Sequence, residues 1–218
     1  IFIGLASVFA VGMHAHFVCK GATQQLKESP DREWSLQPVP GSWRAELKGK
    51  LAPMGGYAWY RALVWIPKNW EGDEIVVIVE ALDDARSTSI NGKLIGATGT
   101  FPPLFRSGLG EKGKYEVATE VLRFADLNTV SIRAYQSDPR PNFSVAPPVL
   151  LNATKKEAIR LEGLWQYRPG DDASWSKANS SDFGPESNAT LTDSEAQSKG
   201  IYRRIDRVDD VDRYVAQR

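Results

Sequence analysis

Cysteine is nearly absent from this chain: Cys19 is the only one in 218 residues. No disulfide can close within the chain, and no cysteine metal cluster can form. Histidine is almost as scarce. His14 and His16 both stand near the start, so the rest of the chain has none, which excludes Ser-His-Asp and Cys-His mechanisms and histidine metal sites from its main body. Charge of one sign is missing too. The 27 basic and 27 acidic residues cancel, and no long stretch is purely basic, which speaks against nucleic acid as a partner because that affinity rests on clustered Lys and Arg. There is no long amphipathic helical pattern and no internal repeat. Loop carbonyls and aspartates could hold a structural calcium ion, but no ligand spacing specifies one, and no cofactor is expected.

Long hydrophobic runs are limited to the start. Ile1–Val18 is mostly apolar, and its uninterrupted part, Ile1–Met13, is short for a membrane span and has the length of a signal-peptide core. Residues 1–21 are therefore read as a signal peptide or leader, and the protein as secreted or periplasmic, with no membrane association beyond the leader. Cys19 raises a lipoprotein reading, against which His16-Phe17-Val18 makes a poor lipobox. Residues 22–33 are polar and read as a flexible lead-in. The start at Ile1 and the charged end at Arg218 suggest a piece of a longer polypeptide, with a downstream domain as a further partner.

The strongest patterns are those of strands. Tyr57–Ile66 is aromatic and β-branched and stops at Pro67. Both of its faces are largely apolar, as for a strand buried on both sides, and Arg61 is the exception that needs a carboxylate or carbonyl partner. Ile75–Ala81 is a second strand. Ser87–Ile90 and Lys93–Gly96 flank Asn91-Gly92, which suits a type I′ hairpin. Shorter strands are expected at Tyr115–Val117, Asn128–Tyr135, Val149–Leu151 and Ala158–Tyr167, the last half-exposed with Ile159, Leu161, Trp165 and Tyr167 on one face. Trp34 and Trp43 flank an extended Pro-rich entry segment and are expected to anchor it on the core. Two long loops, Ala97–Gly113 and Gln136–Pro148, are of a length uncommon without a role. From Pro169 the chain turns polar, and residues 169–218 read as a linker, or as a disordered or weakly helical C-terminal tail leading to a downstream domain. The fold class is all-β, a jelly-roll β-sandwich over 34–168.

The ordered set Val39-Pro40-Gly41-Ser42-Trp43, Gly56-Tyr57-Ala58-Trp59-Tyr60-Arg61, Leu82-Asp83-Asp84, Ser89–Gly96 and Asn128–Arg133 resembles the sugar-binding jelly-roll domain of glycoside hydrolase family 2 and related β-galactosidases. The resemblance spans about Trp34–Leu151 and implies a galactose-binding-domain-like fold. The family's opening strand, Gly-x-Trp-x-Phe-Arg, is matched here by Gly163-Leu164-Trp165-Gln166-Tyr167-Arg168, near the other end. That strand either closes this domain or opens a second one. The family's catalytic carboxylates belong to a separate barrel, so catalysis does not carry over. Arg207–Arg218 is similar to linkers that precede sorbosone-dehydrogenase-like cytochrome modules, although no haem motif is present.

Three functions are weighed. The first is a non-catalytic carbohydrate-binding or accessory domain of a carbohydrate-active protein, itself a glycoside hydrolase or sugar dehydrogenase. Sugar sites use aromatic faces and planar polar side chains, and Trp59, Tyr60, Arg61, Asp83, Asp84, Phe101 and Arg106 supply these types. Trp59 and Tyr60 are weighed more toward core than platform. Asp83 and Asp84 are weighed toward satisfying turn amides, and Asn91 toward the turn alone. Phe101 and Arg106 lie in a long loop, where binding residues concentrate. The second function is a spacer or interaction domain. Solvent-facing aromatics on the loop rim would favour binding, and a polar rim would favour the spacer. The third is a glycosidase in its own right, which fares poorly because adjacent Asp83 and Asp84 point to opposite sides. Four Asn-x-Ser/Thr triplets, at Asn142, Asn152, Asn179 and Asn188, fit the glycosylation pattern and carry weight only in a eukaryotic secreted protein.

Overall fold

The computed structural model describes residues 34–40, 56–80, 84–137, 146–178, 180–183, 192–198 and 200–211. All of them belong to the unit Trp34–Arg218. The expected leader 1–21 and lead-in 22–33, Trp43 and Asp83 lie outside the described residues, as do Asn142, Asn179 and Asn188.

The described strands are β1 (Ser35–Val39), β2 (Gly56–Ile66), β3 (Ile75–Val79), β4 (Ala85–Ile90), β5 (Lys93–Thr98), β6 (Gly113–Val117), β7 (Asp126–Gln136), β8 (Val149–Asn152), β9 (Glu157–Arg160), β10 (Gly163–Pro169), β11 (Ile201–Tyr202) and β12 (Asp206–Arg207). They form two sheets, as expected of an all-β sandwich. One runs β1-β10-β2-β7-β4-β5, with β11 joining β2, and the other runs β12-β9-β8-β3-β6. The spine of the first sheet is the antiparallel pair β2–β7, in register from Gly56 opposite Gln136 to Ile66 opposite Asp126.

Period-2 alternation decides what each face of β2 meets. Ala58, Tyr60, Ala62, Val64 and Ile66 turn inward, joining Val130, Ile132 and Ala134 of β7, Trp165 and Tyr167 of β10, and Val77 and Leu150 of the second sheet. Each fully buried aliphatic side chain there contributes about 1.5–3 kcal/mol. The Asn91-Gly92 hairpin forms as its residues require, with φ of 51° and 78° and Ile90 opposite Lys93. Asn91 does more than turn the chain. Its amide donates to the Val121 carbonyl and to Asn128 Oδ1, each at 2.8 Å, and its Oδ1 accepts the Thr129 N–H at 3.0 Å.

Three expectations are revised. Ala158–Tyr167 is two strands rather than one, since β9 lies in the second sheet and β10 in the first. The four residues expected on one face, Ile159, Leu161, Trp165 and Tyr167, all enter the core. The strand Gly163–Arg168 sits between β1 and β2, so it is an internal strand of this sandwich. Trp34 lies on the outer side of the first sheet, beneath the Arg61 guanidinium at 3.7 Å and edge-on to Trp175, rather than in the core between the sheets.

The described residues of the polar C-terminal stretch are also part of the fold. Its described residues include 3₁₀ turns at Ala173–Ser176 and Ser180–Phe183, helix α1 (Asp193–Ser198) and strands β11 and β12. Phe183, Ala196 and Ile201 pack with Leu63 on the outer face of the first sheet. Val208, backed by Val211, covers Val76, Ile78, Val149, Leu151 and Ala158 on the outer face of the second. The composition of 169–218 suggested a free linker because few apolar residues are needed when each one meets a strand face already apolar.

Candidate functional site

The loop from β5 to β6 is tied down at its base. Thr100 and Arg106 exchange backbone hydrogen bonds (2.8 and 3.2 Å), and the Gly108 N–H donates to the Asp84 carbonyl at 2.5 Å. Gly99 adopts φ +69°, and a Cβ there would stand 2.5 Å from the Asp84 carbonyl oxygen and 2.8 Å from that of Arg106. Only glycine permits this approach of backbones. The Asp84 carboxylate completes the anchor. It accepts from Ser107 Oγ at 2.8 Å, the Ser137 N–H at 2.8 Å and Ser137 Oγ at 2.5 Å. Asp84 is buried, so its part is to join the loop to the end of β7.

The tip of this loop lies against aromatics from the sheet. Tyr57 of β2 and Tyr135 of β7 are register partners, with ring centroids 4.8 Å apart. Phe101 stacks on Tyr57 at 5.8 Å, and Phe105 meets Tyr135 edge-on at 5.4 Å. Arg133 lies over both rings, 4.1 Å from the Phe101 centroid and 4.7 Å from that of Tyr57. A bidentate pair with Asp171, both bonds 2.6 Å, fixes its guanidinium. Partial burial pushes the Tyr57 phenol above its ordinary pKa, against the opposing pull of Arg133.

The outward surface of the loop is apolar and cationic. Leu104 is 83 % exposed, Leu109 46 % and Phe105 40 %. Arg106 stands beside them with its side chain 63 % exposed, ion-paired with Glu111 at 3.3 Å.

The candidate residues therefore divide. Phe101 and Arg106 belong to the loop and are gathered with Tyr57, Phe105, Arg133 and Tyr135. Trp59, Tyr60 and Arg61 are buried and present no surface to a ligand. Tyr60 is a core residue packed on Tyr167 at 5.2 Å. Trp59 faces outward between Arg168 and Arg133, beneath other side chains. Arg61 finds the acceptors its burial requires: Gln166 Oε1 at 2.8 and 3.2 Å, the Lys177 carbonyl at 2.9 Å and, at 4.0 Å, Asp182. Burial pulls its pKa down to about 10, partly opposed by Asp182.

Tyr57, Phe105, Arg133 and Tyr135 were not singled out from sequence. The alternation of β2 and β7 puts Tyr57, Arg133 and Tyr135 on one face, but only the strand register brings them together. Among the described residues, no three His, Cys, Asp or Glu side chains gather as a metal site, and no helix is long and apolar enough to cross a membrane.

No protein-family model matches the chain, and no curated protein matches it. Among solved structures it is similar to parts of larger enzymes. It is 12 % identical to Ruminococcus gnavus β-glucuronidase in complex with uronic isofagomine, covering 60 % of this chain and 28 % of that one, with a TM-score of 0.42. It is 18 % identical to Faecalibacterium prausnitzii β-glucuronidase, covering 44 % of this chain and 15 % of that one (TM-score 0.36). It is 14 % identical to a glycosyl hydrolase family 2 member from Bacteroides cellulosilyticus, covering 48 % and 15 % (TM-score 0.35). The chain thus spans less than a third of the length of each.

Proposed function

We propose that this chain is a non-catalytic carbohydrate-binding or accessory domain of a larger secreted or periplasmic carbohydrate-active protein, of the glycoside hydrolase family 2 type that its motifs resemble. The observation that carries the reading is Phe105, a solvent-facing aromatic next to the exposed, Glu111-paired Arg106, on a loop backed by Tyr57 and Tyr135. An exposed ring supplies the apolar face that sugar C–H groups stack on, and the guanidinium supplies planar donors for hydroxyl pairs. The loop is held at its base by Asp84, so little ordering is left to be done on binding. Catalysis is not assigned to this chain, because Asp84 is buried and engaged by three donors.

The second reading, an interaction module that positions a neighbouring domain, is favoured by Leu104 and Leu109. They are exposed aliphatic residues with no stacking face. The two readings separate by calorimetry of the full chain, since residues after 170 belong to the fold, against a panel of plant and algal oligosaccharides. Binding predicts saturable heat with at least one sugar, lost in Phe105→Ala and in Arg106→Ala. Folded protein that gives no heat with any sugar would favour the interaction module.

A further inference from the structure

Beneath the same loop lies a cation that forms no ion pair with any acid among the described residues. Arg86 projects from the inner face of β4 and is fully buried. Its Nη2 donates to the Glu111 carbonyl at 2.5 Å and to the Val79 carbonyl at 3.3 Å, bridging the two sheets. Its Nε and Nη1 have no hydrogen-bond partner, and neither does the hydroxyl of Thr88. Thr88 is two residues further on the same strand face and is also fully buried. Opposite Arg86 stands Thr98, whose hydroxyl pairs with that of Tyr115 at 2.7 Å. The described acids near it in the chain are engaged elsewhere. Asp84, two residues back, accepts from Ser107 and Ser137. Glu80 holds Lys112 at 2.9 Å, and the Glu111 carboxylate faces outward to Arg106.

Backbone carbonyls satisfy hydrogen bonds but do not cancel a charge. An unpaired guanidinium taken into the interior costs several kcal/mol, and unmade buried hydrogen bonds add to it. The unused groups here are N–H donors and a hydroxyl that can donate, beside a full positive charge. That chemistry selects an anion. Because Arg86 and Thr88 are wholly enclosed, a sugar acid or other polyatomic ligand has no approach, and the ion must be small.

We propose that Arg86 and Thr88 form a closed site for one monovalent anion of chloride size, which neutralises Arg86 between the sheets. The site is separate from the exposed rim and stands or falls independently of the carbohydrate reading. The anion stabilises Arg86 in the position from which it holds the Glu111 carbonyl, and so supports the far end of the loop.

Bromide is the probe. In crystals of the full chain grown in sodium bromide, an anomalous peak is expected within about 3.5 Å of Arg86 Nε or Nη1. In solution, the Tm of the wild-type protein is expected to rise saturably in bromide by about 2 °C or more over sodium methanesulfonate at equal ionic strength. Thr88→Val, which keeps the shape of the side chain, is expected to raise the half-saturating bromide concentration about tenfold. The inference is overturned by an ordered water without anomalous signal, by a protein acceptor at Nε and Nη1, by bromide found at surface positions alone, or by equal Tm in the two salts.

Discussion

The two faces of β2 are both largely buried, by different physics. The inner face meets the second sheet through Ala58, Tyr60, Ala62, Val64 and Ile66, side chains that pack without directional demands. The outer face carries Tyr57, Trp59, Arg61, Leu63 and the exposed Trp65, and its middle is covered by residues after 170 through specific pairings. Arg133 takes Asp171, Arg168 stacks over Trp175 at 3.9 Å, Arg61 takes the Lys177 carbonyl, and Ser131 and Thr129 donate to the carbonyls of Ser176 and Ala178. A strand apolar on both sides thus need not lie between two sheets. One side can be closed by a polar segment that supplies carbonyls, a carboxylate and a few apolar contacts at defined positions.

The largest effect is expected on the inner side. Trp165 is fully buried and its Nε1–H donates to the Leu161 carbonyl at 2.8 Å. Trp165→Ala is expected to cost about 3–5 kcal/mol in urea unfolding, with amide protection lost across both sheets together. On the outer side, Arg61→Met leaves the Lys177 carbonyl and Gln166 Oε1 without their donor, for about 2–4 kcal/mol. Hydrogen exchange should then quicken in residues 171–183 while β2–β7 amides stay protected. Uniform loss of protection in that variant would show that the two faces are one cooperative unit.

Smaller effects test the loop and the far sheet. Asp84→Asn weakens the bonds to Ser107 and Ser137 and is expected to cost about 1–3 kcal/mol. Exchange should quicken in the β5–β6 loop, and any sugar heat should fall with it. At the other end, Lys155 and then Asn152 hold the Asp73 carboxyl below the usual range. The folded state therefore takes up this proton less readily than the unfolded chain. The resulting stability is full above the unfolded value of about 3.9 and is lost as pH falls through the lower folded value. Urea midpoints of wild type and Asp73→Asn should differ at neutral pH and draw together through that acid window. A gap unchanged with pH would assign the effect to packing. Smallest of all, Phe105→Ala gives up its edge contact with Tyr135 and should cost about 0.5–1.5 kcal/mol, which leaves the protein folded and its effect on binding interpretable.

Local chemistry determined much from the sequence alone. Alternation with β-branched and aromatic residues placed β2, β3 and β7, Asn91-Gly92 placed the hairpin, and Arg61 in an apolar strand announced its need for an acceptor. These features depend on neighbours a few residues apart, or on a cost that a buried charge always carries. Tertiary structure alone decided three other matters. Strand register brought Tyr57, Arg133 and Tyr135 beneath Phe101 and Phe105, turned Asp84 into a loop anchor, and hid Trp59 and Tyr60 from solvent. The split of Ala158–Tyr167 between sheets followed from which edges were open to pair. The polar stretch after Pro169 became structure because its few apolar residues and many carbonyls meet a sheet face already lined with arginines, hydroxyls and rings. Composition reports how much apolar surface a segment carries, whereas the fold decides what surface that segment is offered.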